Sequence, residues 1–316
     1  MSTLTQLEYL LAVDSERHFG NAAKLCHVSQ PSLSAQIQKL EEELEVVIFD
    51  RSRKPILPTE AGKEIIEQAR KVLKEHKKLK VIAELKAPVP KGDFDLAVIP
   101  TLASYVIPLF IGDFAEKFPQ VNLRVHEHKT EDILKLLQDD ALDAGLLVTP
   151  LYDDALIERH LYYEPFYCYL NADHPLQKKN EIAEGDLTHD DLWLLSEGHC
   201  FRSQVLRLCS KGEQNGVFPN LKFEGGNFDT LTKLVKKSSG FTLLPQMAVD
   251  DLSSSETETH IKAFAEPIPT REVSLVYNRT FLKETIINAL EACIIENLPS
   301  HIRSLKRQSV NVVDIA

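Results

Sequence analysis

The stretch Phe19-Gly20-Asn21-Ala22-Ala23-Lys24-Leu25-Cys26-His27-Val28-Ser29-Gln30-Pro31-Ser32-Leu33-Ser34-Ala35-Gln36-Ile37-Gln38-Lys39-Leu40-Glu41 carries two helical patterns separated by a short break. Asn21 to Leu25 makes a compact helix, and Cys26-His27-Val28 is a tight connection. Ser29 can cap the next helix, with Pro31 in its first turn, where a missing N–H costs little. That helix is expected to bury Leu33, Ile37, Leu40 and Leu44 at 4-3-4 spacing. Upstream, Leu4, Leu7, Leu10 and Leu11 form another helical stripe that ends before Arg17-His18-Phe19-Gly20. Downstream, Phe49 to Thr59, with Arg51, Arg53, Lys54, Pro55 and Pro58, reads as a basic loop or β-wing.

Two helices across a short turn, the second one capped, make a helix-turn-helix candidate. Opposite its apolar stripe the second helix presents Gln30, Ser32, Ser34, Gln36 and Lys39. Glutamine can pair bidentately with adenine, and serine can reach base edges or phosphates. Ser29, Pro31 and Asn21 lie at the approach to that face, and Arg51, Arg53 and Lys54 suit backbone or minor-groove contact. A small helical bundle with an ordinary solvated face is the competing reading.

From 60 to 87 one long helical pattern follows. Ile65, Ala69, Val72, His76, Leu79 and Ala83 form a heptad seam, with Ile66, Leu73 and Ile82 beside it. Such a seam wants a partner helix, or packs on its own domain. Ala87 to Asp93 then breaks the helix as a linker. Beyond it strands and helices alternate. The expected strands are Asp95–Ile99, Leu123–His126, Ala144–Val148, Phe166–Leu170, Trp193–Leu195, Phe241–Leu244 and Val273–Tyr277. The expected helices are Tyr105–Phe118, Glu131–Gln138, Gln204–Cys209, Phe228–Lys236 and Lys283–Ile295.

The quoted stretch strongly resembles the winged helix-turn-helix of LysR-type transcriptional regulators. Phe49-Asp50-Arg51 and Pro58-Thr59-Glu60-Ala61-Gly62 are similar to that family's wing and linker-helix entry, and Gly240-Phe241-Thr242-Leu243-Leu244-Pro245 to a segment of its effector domain. The resemblance implies an α+α/β chain: a DNA-binding domain at 1–60, a linker and dimerisation helix with hinge at 61–93, and an effector domain at 94–316. The effector domain would be periplasmic-binding-protein-like, with lobe I at 94–164 and 268–305 and lobe II at 165–267. A homodimer or homotetramer on double-stranded promoter DNA is implied, and no enzyme.

Within the effector region, Ser196-Glu197-Gly198-His199-Cys200-Phe201-Arg202-Ser203-Gln204, followed by Cys209, is similar to the sensing segment of peroxide-responsive members of that family. Ile99-Pro100-Thr101 and Thr130 carry the same likeness. The resemblance implies that Cys200 attacks hydrogen peroxide and Cys209 resolves it as a disulfide. It also implies that Thr101 and Thr130 hold the peroxide. Ser203 stands where the likeness favours an acid.

The residues themselves add two arguments. His199 and Arg202 flank the thiol and can favour its thiolate. A helix over 203–209 separates the two sulfurs by roughly 13 Å of rise and half a turn. A disulfide tolerates Cα separations only to about 7 Å, so bridging must unwind that helix. The bland alternative treats both cysteines as small buried hydrophobes, and this is the reading for Cys26, Cys168 and Cys293. A LysR-type regulator holding a small anionic metabolite between the lobes is the competing function, and a turning-over thiol peroxidase is a third.

Composition sets the bounds. The 316 residues carry a net charge of −11, with residues 1–90 at +1 and the remainder at −12, so localised DNA contact is allowed and a uniformly basic binder is excluded. Five cysteines at irregular spacing do not make a secreted disulfide framework, and no apolar run is long enough for a membrane span. A cytoplasmic location follows as an expectation. His126, His128 and His199 lack the spacing of a closed metal site, and no cofactor is expected. RNA polymerase and a glutaredoxin- or thioredoxin-type reductant complete the expected partners.

Overall fold

The computed structural model describes residues 2–84, 89–188, 191–209, 223, 225–278 and 283–315. The chain divides into two compact units, Met1–Ala87 and Pro88–Ala316.

In the first unit α1 (Leu4–Glu16) starts at a capping box, Thr3 with Gln6, and ends at Arg17 in the left-handed region. α2 (Phe19–Leu25) is capped by the His18 ring, whose Nδ1 accepts from the Gly20 and Asn21 amides. α3 (Gln30–Leu44) is capped by the Ser29 hydroxyl. Leu33, Ile37 and Leu40 are fully buried, whereas Leu44, expected in the core, is exposed at the helix end. β1 (Phe49–Asp50) and β2 (Leu57–Pro58) pair antiparallel as the wing. The Glu41 carboxylate anchors it by accepting from the Ile48 and Phe49 amides and pairing with Arg51. Gly62 is required there: a Cβ would sit 2.1 Å from the Ile48 carbonyl oxygen.

α4 (Glu60–Glu84) turns Ile66 and Ala69 into this unit's own core, and an Arg70–Asp14 pair at 2.6 Å ties it to α1. The seam read from the sequence is therefore divided. Ala69 packs inward, while Val72 and Leu79 stay exposed. The expected helix at 85–87 and part of the linker lie outside the described residues.

The second unit alternates β3 (Gly92–Val98), α5 (Pro100–Lys117), β4 (Val121–Glu127), α6 (Thr130–Gln138), β5 (Ala144–Thr149) and β6 (Leu156–Leu170). Next come α7 (Cys200–Leu208), α8 (Phe228–Lys237), β7 (Phe241–Pro245), α9 (Gln246–Asp250), α10 (Ser254–His260) and β8 (Ile261–Ala263). β9 (Ile268–Asn278), α11 (Glu284–Asn297), α12 (Ser300–Arg303) and β10 (Val310–Val312) complete it. Its first lobe is built on the strand order β4-β3-β5-β9-β6. β6 then passes into the second lobe: Leu156–Pro165 pair with β9, and Phe166–Leu170 pair with β7. Two separate apolar cores result, one on each sheet. This is the two-lobed α/β arrangement expected of the fold class.

Several elements differ from the sequence reading. Trp193–Leu195 is not a strand; only single bridges flank it, Leu192 to Phe241 and Leu195 to Gly225. β6 begins ten residues before Phe166, because its Glu158-Arg159-His160 segment serves a half-solvated face and lacks a continuous apolar run. α5, α6 and α7 all begin earlier than their apolar stripes indicate, at Pro100, Thr130 and Cys200. Those extra residues are the ones that matter for the site.

Candidate functional site

Cys200 is the first residue of α7, and His199 is its N-cap. Thr130 occupies the same position on α6, and Thr101 lies in the first turn of α5. A helix N-terminus carries unpaired N–H groups and a partial positive charge, which favour an anion such as a thiolate. Arg271, on β9, completes the group. Its side chain is 1% exposed, donates from Nη1 to the Thr101 hydroxyl at 3.3 Å and from Nη2 to the Thr101 carbonyl at 3.2 Å, and stacks over Phe201. Glu164, its register partner on β6, holds the guanidinium from the other side at 2.7 Å.

The Cys200 thiol feels opposing forces. Burial pushes it above its ordinary value, whereas the Arg271 charge, the Thr130 hydroxyl and the Phe201 and Cys200 amides pull it down. Burial wins, so the resting thiol is held above the ordinary range and keeps its proton at neutral pH. The Thr130 oxygen is buried and acts on the Cys200 sulfur, with no hydrogen bond to any other described residue. An oxygen or a thiolate arriving at Cys200 would satisfy it.

The expected helpers of the thiolate sit differently. His199 is buried, and burial with the nearby Lys129 charge holds its imidazole below the ordinary range, in the neutral form. It supplies no cation. The Arg202 guanidinium donates to the Leu195 carbonyl at 2.8 Å. The cation acting on Cys200 is Arg271, 71 positions away in sequence and unforeseen. A clue existed: an arginine beside the apolar run Val273–Tyr277, and a glutamate inside Tyr162–Phe166, are out of place in buried strands unless they pair. Lys129 was also missed. Its ammonium donates to the Glu197 carbonyl at 2.8 Å and lies against Gly198, whose φ of +86 suits glycine.

Cys209 caps the other end of α7, fully buried, and its thiol is pushed up to about 12 by burial and the Asp191 charge. All five cysteines are free thiols. With α7 intact its ends stand about 12 Å apart, so the two sulfurs cannot bond in this conformation. Burial, with the nearby Cys209 thiol, pushes the Cys168 thiol up, and Cys293 contacts the Phe110 carbonyl. Among the described residues no group of three His, Cys, Asp or Glu side chains is arranged to hold a metal.

In the first unit Asn21, Ser29, Gln30, Pro31 and Ser32 are exposed along the start of α2 and α3, with Ser34 half-buried. Gln36 is engaged internally, accepting from Gln6 at 3.2 Å. On the wing, Arg51 is bound to Glu41 and lies over Phe19, Arg53 pairs with Asp50, and Lys54 is exposed.

Comparison with known proteins decides the family. Residues 4–63 match the bacterial regulatory helix-turn-helix of the lysR family, and residues 88–299 match the LysR substrate binding domain. The chain belongs to the LysR family. It is a DNA-binding transcription regulator, not an enzyme. A hydrogen peroxide-inducible genes activator of Dickeya chrysanthemi is 34% identical over 97% of this chain and 99% of its own length. OxyR of Escherichia coli (strain K12), a DNA-binding transcriptional dual regulator, is 33% identical over the same shares. Full-length OxyR of Pseudomonas aeruginosa, in a cysteine-to-aspartate variant, superposes with a TM-score of 0.73 at 31% identity, covering 97% of this chain and 99% of that one. A cysteine-to-serine variant of Corynebacterium glutamicum OxyR with hydrogen peroxide bound gives 0.59 at 26% identity, covering 93% and 92%. Among the described residues of this LysR-family chain, no helix is long and apolar enough to cross a membrane.

Proposed function

We propose that this LysR-family regulator senses hydrogen peroxide through a reversible Cys200–Cys209 disulfide. The supporting observation is the placement of Cys200 at the N-terminus of α7, between the Arg271 cation and the buried Thr130 hydroxyl, with Cys209 at the far end of the same helix. Its relatives named for peroxide-inducible genes point the same way.

Peroxide enters beside Thr101 and Thr130. Thr101 accepts from Arg271, which leaves its own hydroxyl hydrogen for a peroxide oxygen. The minor thiolate form of Cys200 attacks one oxygen, the O–O bond breaks, and the departing hydroxide takes a proton to leave as water. Arg271 and the hydroxyls stabilise the charge that develops. α7 then unwinds, Cys209 attacks the sulfenic sulfur, and its proton leaves with the hydroxyl as a second water. Two thiols have given two electrons to one peroxide.

In this reading residues 1–60 dock on promoter DNA, using Asn21, Ser29, Gln30, Pro31, Ser32 and Ser34 with Arg53 and Lys54. Residues 61–93 link and dimerise, and exposed Val72 and Leu79 support a helix–helix contact. The effector domain spans 94–316, with lobe I at 94–164 and 268–305 and lobe II at 165–267. Its redox change alters packing in a homodimer or homotetramer, and so the spacing of paired DNA modules. A cytoplasmic location suits a regulator with a glutaredoxin- or thioredoxin-type reductant, acting on RNA polymerase at the promoter.

The test is mass spectrometry after micromolar peroxide, with a promoter-binding footprint. A Cys200–Cys209 link in the native chain and a footprint change lost in Cys200→Ser are expected. A native chain that stays reduced but changes its footprint with small organic anions would instead favour a metabolite-binding regulator.

A further inference from the structure

α7 is held by a segment from the far end of the described chain. β10 adds in parallel to the Ile268–Thr270 end of β9. The Val313 amide donates to the Thr270 carbonyl at 2.9 Å, extending the pairing by one residue. The Val313 carbonyl accepts from Gln204 Nε2 at 2.7 Å. Gln204 lies one turn after Cys200 on α7, and its side chain is fully buried. Its Oε1 has no partner among the described residues, so the bond to Val313 is what the amide group has in exchange for its lost hydration. The Val313 side chain enters the second lobe's core with Phe201, Val205 and Leu208, all from α7. On either side of this contact, Asn311 reaches Glu184 in the second lobe, and Asp314 accepts from the Tyr152 hydroxyl at 2.8 Å in the first.

We propose that Val310–Asp314 is a strap on the redox helix, and that Gln204 and Val313 are positioning residues whose bond must break before Cys209 can reach Cys200. The inference rests on the disulfide reading above. Bridging the two sulfurs requires α7 to unwind, which carries Gln204 away from a carbonyl fixed on β9. The strap therefore opposes resolution, while the first step, attack of Cys200 on peroxide, takes place with α7 intact. It divides the two-electron oxidation into a strap-independent half and a strap-gated half. Atoms and electrons balance as before: the sulfenic hydroxyl leaves as water with the Cys209 proton.

The experiment compares the full-length native chain with Gln204→Met, which keeps an unbranched side chain of similar length but cannot donate. Sulfenic acid formation, trapped with dimedone, should keep its native rate within about twofold. Resolution, followed by mass spectrometry of the Cys200–Cys209 link, should quicken by about three- to tenfold, the range of one lost hydrogen bond. The disulfide's reduction potential should fall by up to about 30 mV, the tenfold limit of that range. Equal resolution rates and potentials in the two proteins overturn the strap and leave the disulfide reading standing. A native chain that forms no link at all overturns the disulfide reading, and the strap with it. Hydrogen exchange supplies the variant-free measurement: the Gln204 side-chain amide hydrogens, donated to the Val313 carbonyl, should exchange slowly in the reduced native chain and lose that protection in the disulfide form. Protection that survives oxidation also overturns the strap.

Discussion

The Arg271 guanidinium and the Glu164 carboxylate meet at 2.7 Å with side-chain exposures of 1% and 0%, directly opposite each other where β6 and β9 run between the lobes. Glu164 also accepts from the Met247 amide at 2.9 Å, so its carboxylate is bound on both oxygens. The pair fixes the Arg271 cation that acts on Cys200 to the frame that joins the two lobes.

Breaking that pair from one side leaves a buried, uncompensated charge. Glu164→Leu alone should destabilise the effector domain by about 3–5 kcal/mol in urea unfolding, and the double change with Arg271→Met should recover much of that loss. A single variant as stable as the native chain contradicts the geometry. Arg271→Met should also raise the Cys200 thiol pKa, read by thiolate absorbance, because the opposing charge is gone.

Thr130→Val removes a buried hydroxyl that acts on the Cys200 sulfur and has no other hydrogen-bond partner among the described residues. Stability should therefore hold or rise slightly. Sulfenic acid formation at Cys200 should slow on the order of 100-fold, the cost of one lost donor to developing charge. A variant that loses stability but keeps its rate assigns Thr130 a purely structural part.

The Cys209 thiol, near 9 when unfolded, is pushed up to about 12 in the fold. The folded chain thus holds a proton that the unfolded chain gives up, so stability is full below pH 9 and falls as pH rises from 9 towards 12. The slope is at most about 1.4 kcal/mol per pH unit for this group. Cys200 and Cys168 are raised by burial and share the sign. Urea unfolding at pH 8 and pH 10 should show the loss, and Cys209→Ala should reduce it.

On the wing, Arg53 and Lys54 should behave differently from Arg51. Replacing either of the first two with alanine should weaken binding evenly across DNA sequences and lower the salt slope by about 1 each. Arg51 is paired with Glu41, which also holds the Ile48 and Phe49 amides. Glu41→Ala should therefore cost about 1–3 kcal/mol and loosen the wing, seen as faster amide exchange at Ile48 and Phe49.

Local pattern was enough for much of this protein. The caps at Ser29 and Pro31, the stripe Leu33-Ile37-Leu40 and the alternation of strands and helices depend on neighbours a few residues apart. So does the helix between Cys200 and Cys209, which already implied that joining them must unwind it. Helix starts were read late, because Pro100, Thr130 and Cys200 precede their apolar stripes.

What the tertiary structure alone decided is the chemistry around the thiol. His199 and Arg202 are next to Cys200 in sequence, yet burial keeps the imidazole neutral and the Leu195 carbonyl takes the guanidinium. The cation comes instead from Arg271, brought in by a strand that returns from the other lobe. The restraint on α7 comes from Val313, 109 positions beyond Gln204. Periodicity describes which face of an element is apolar. Which charged group is buried beside which thiol depends on how the crossing strands bring distant residues together, and no local pattern carries that.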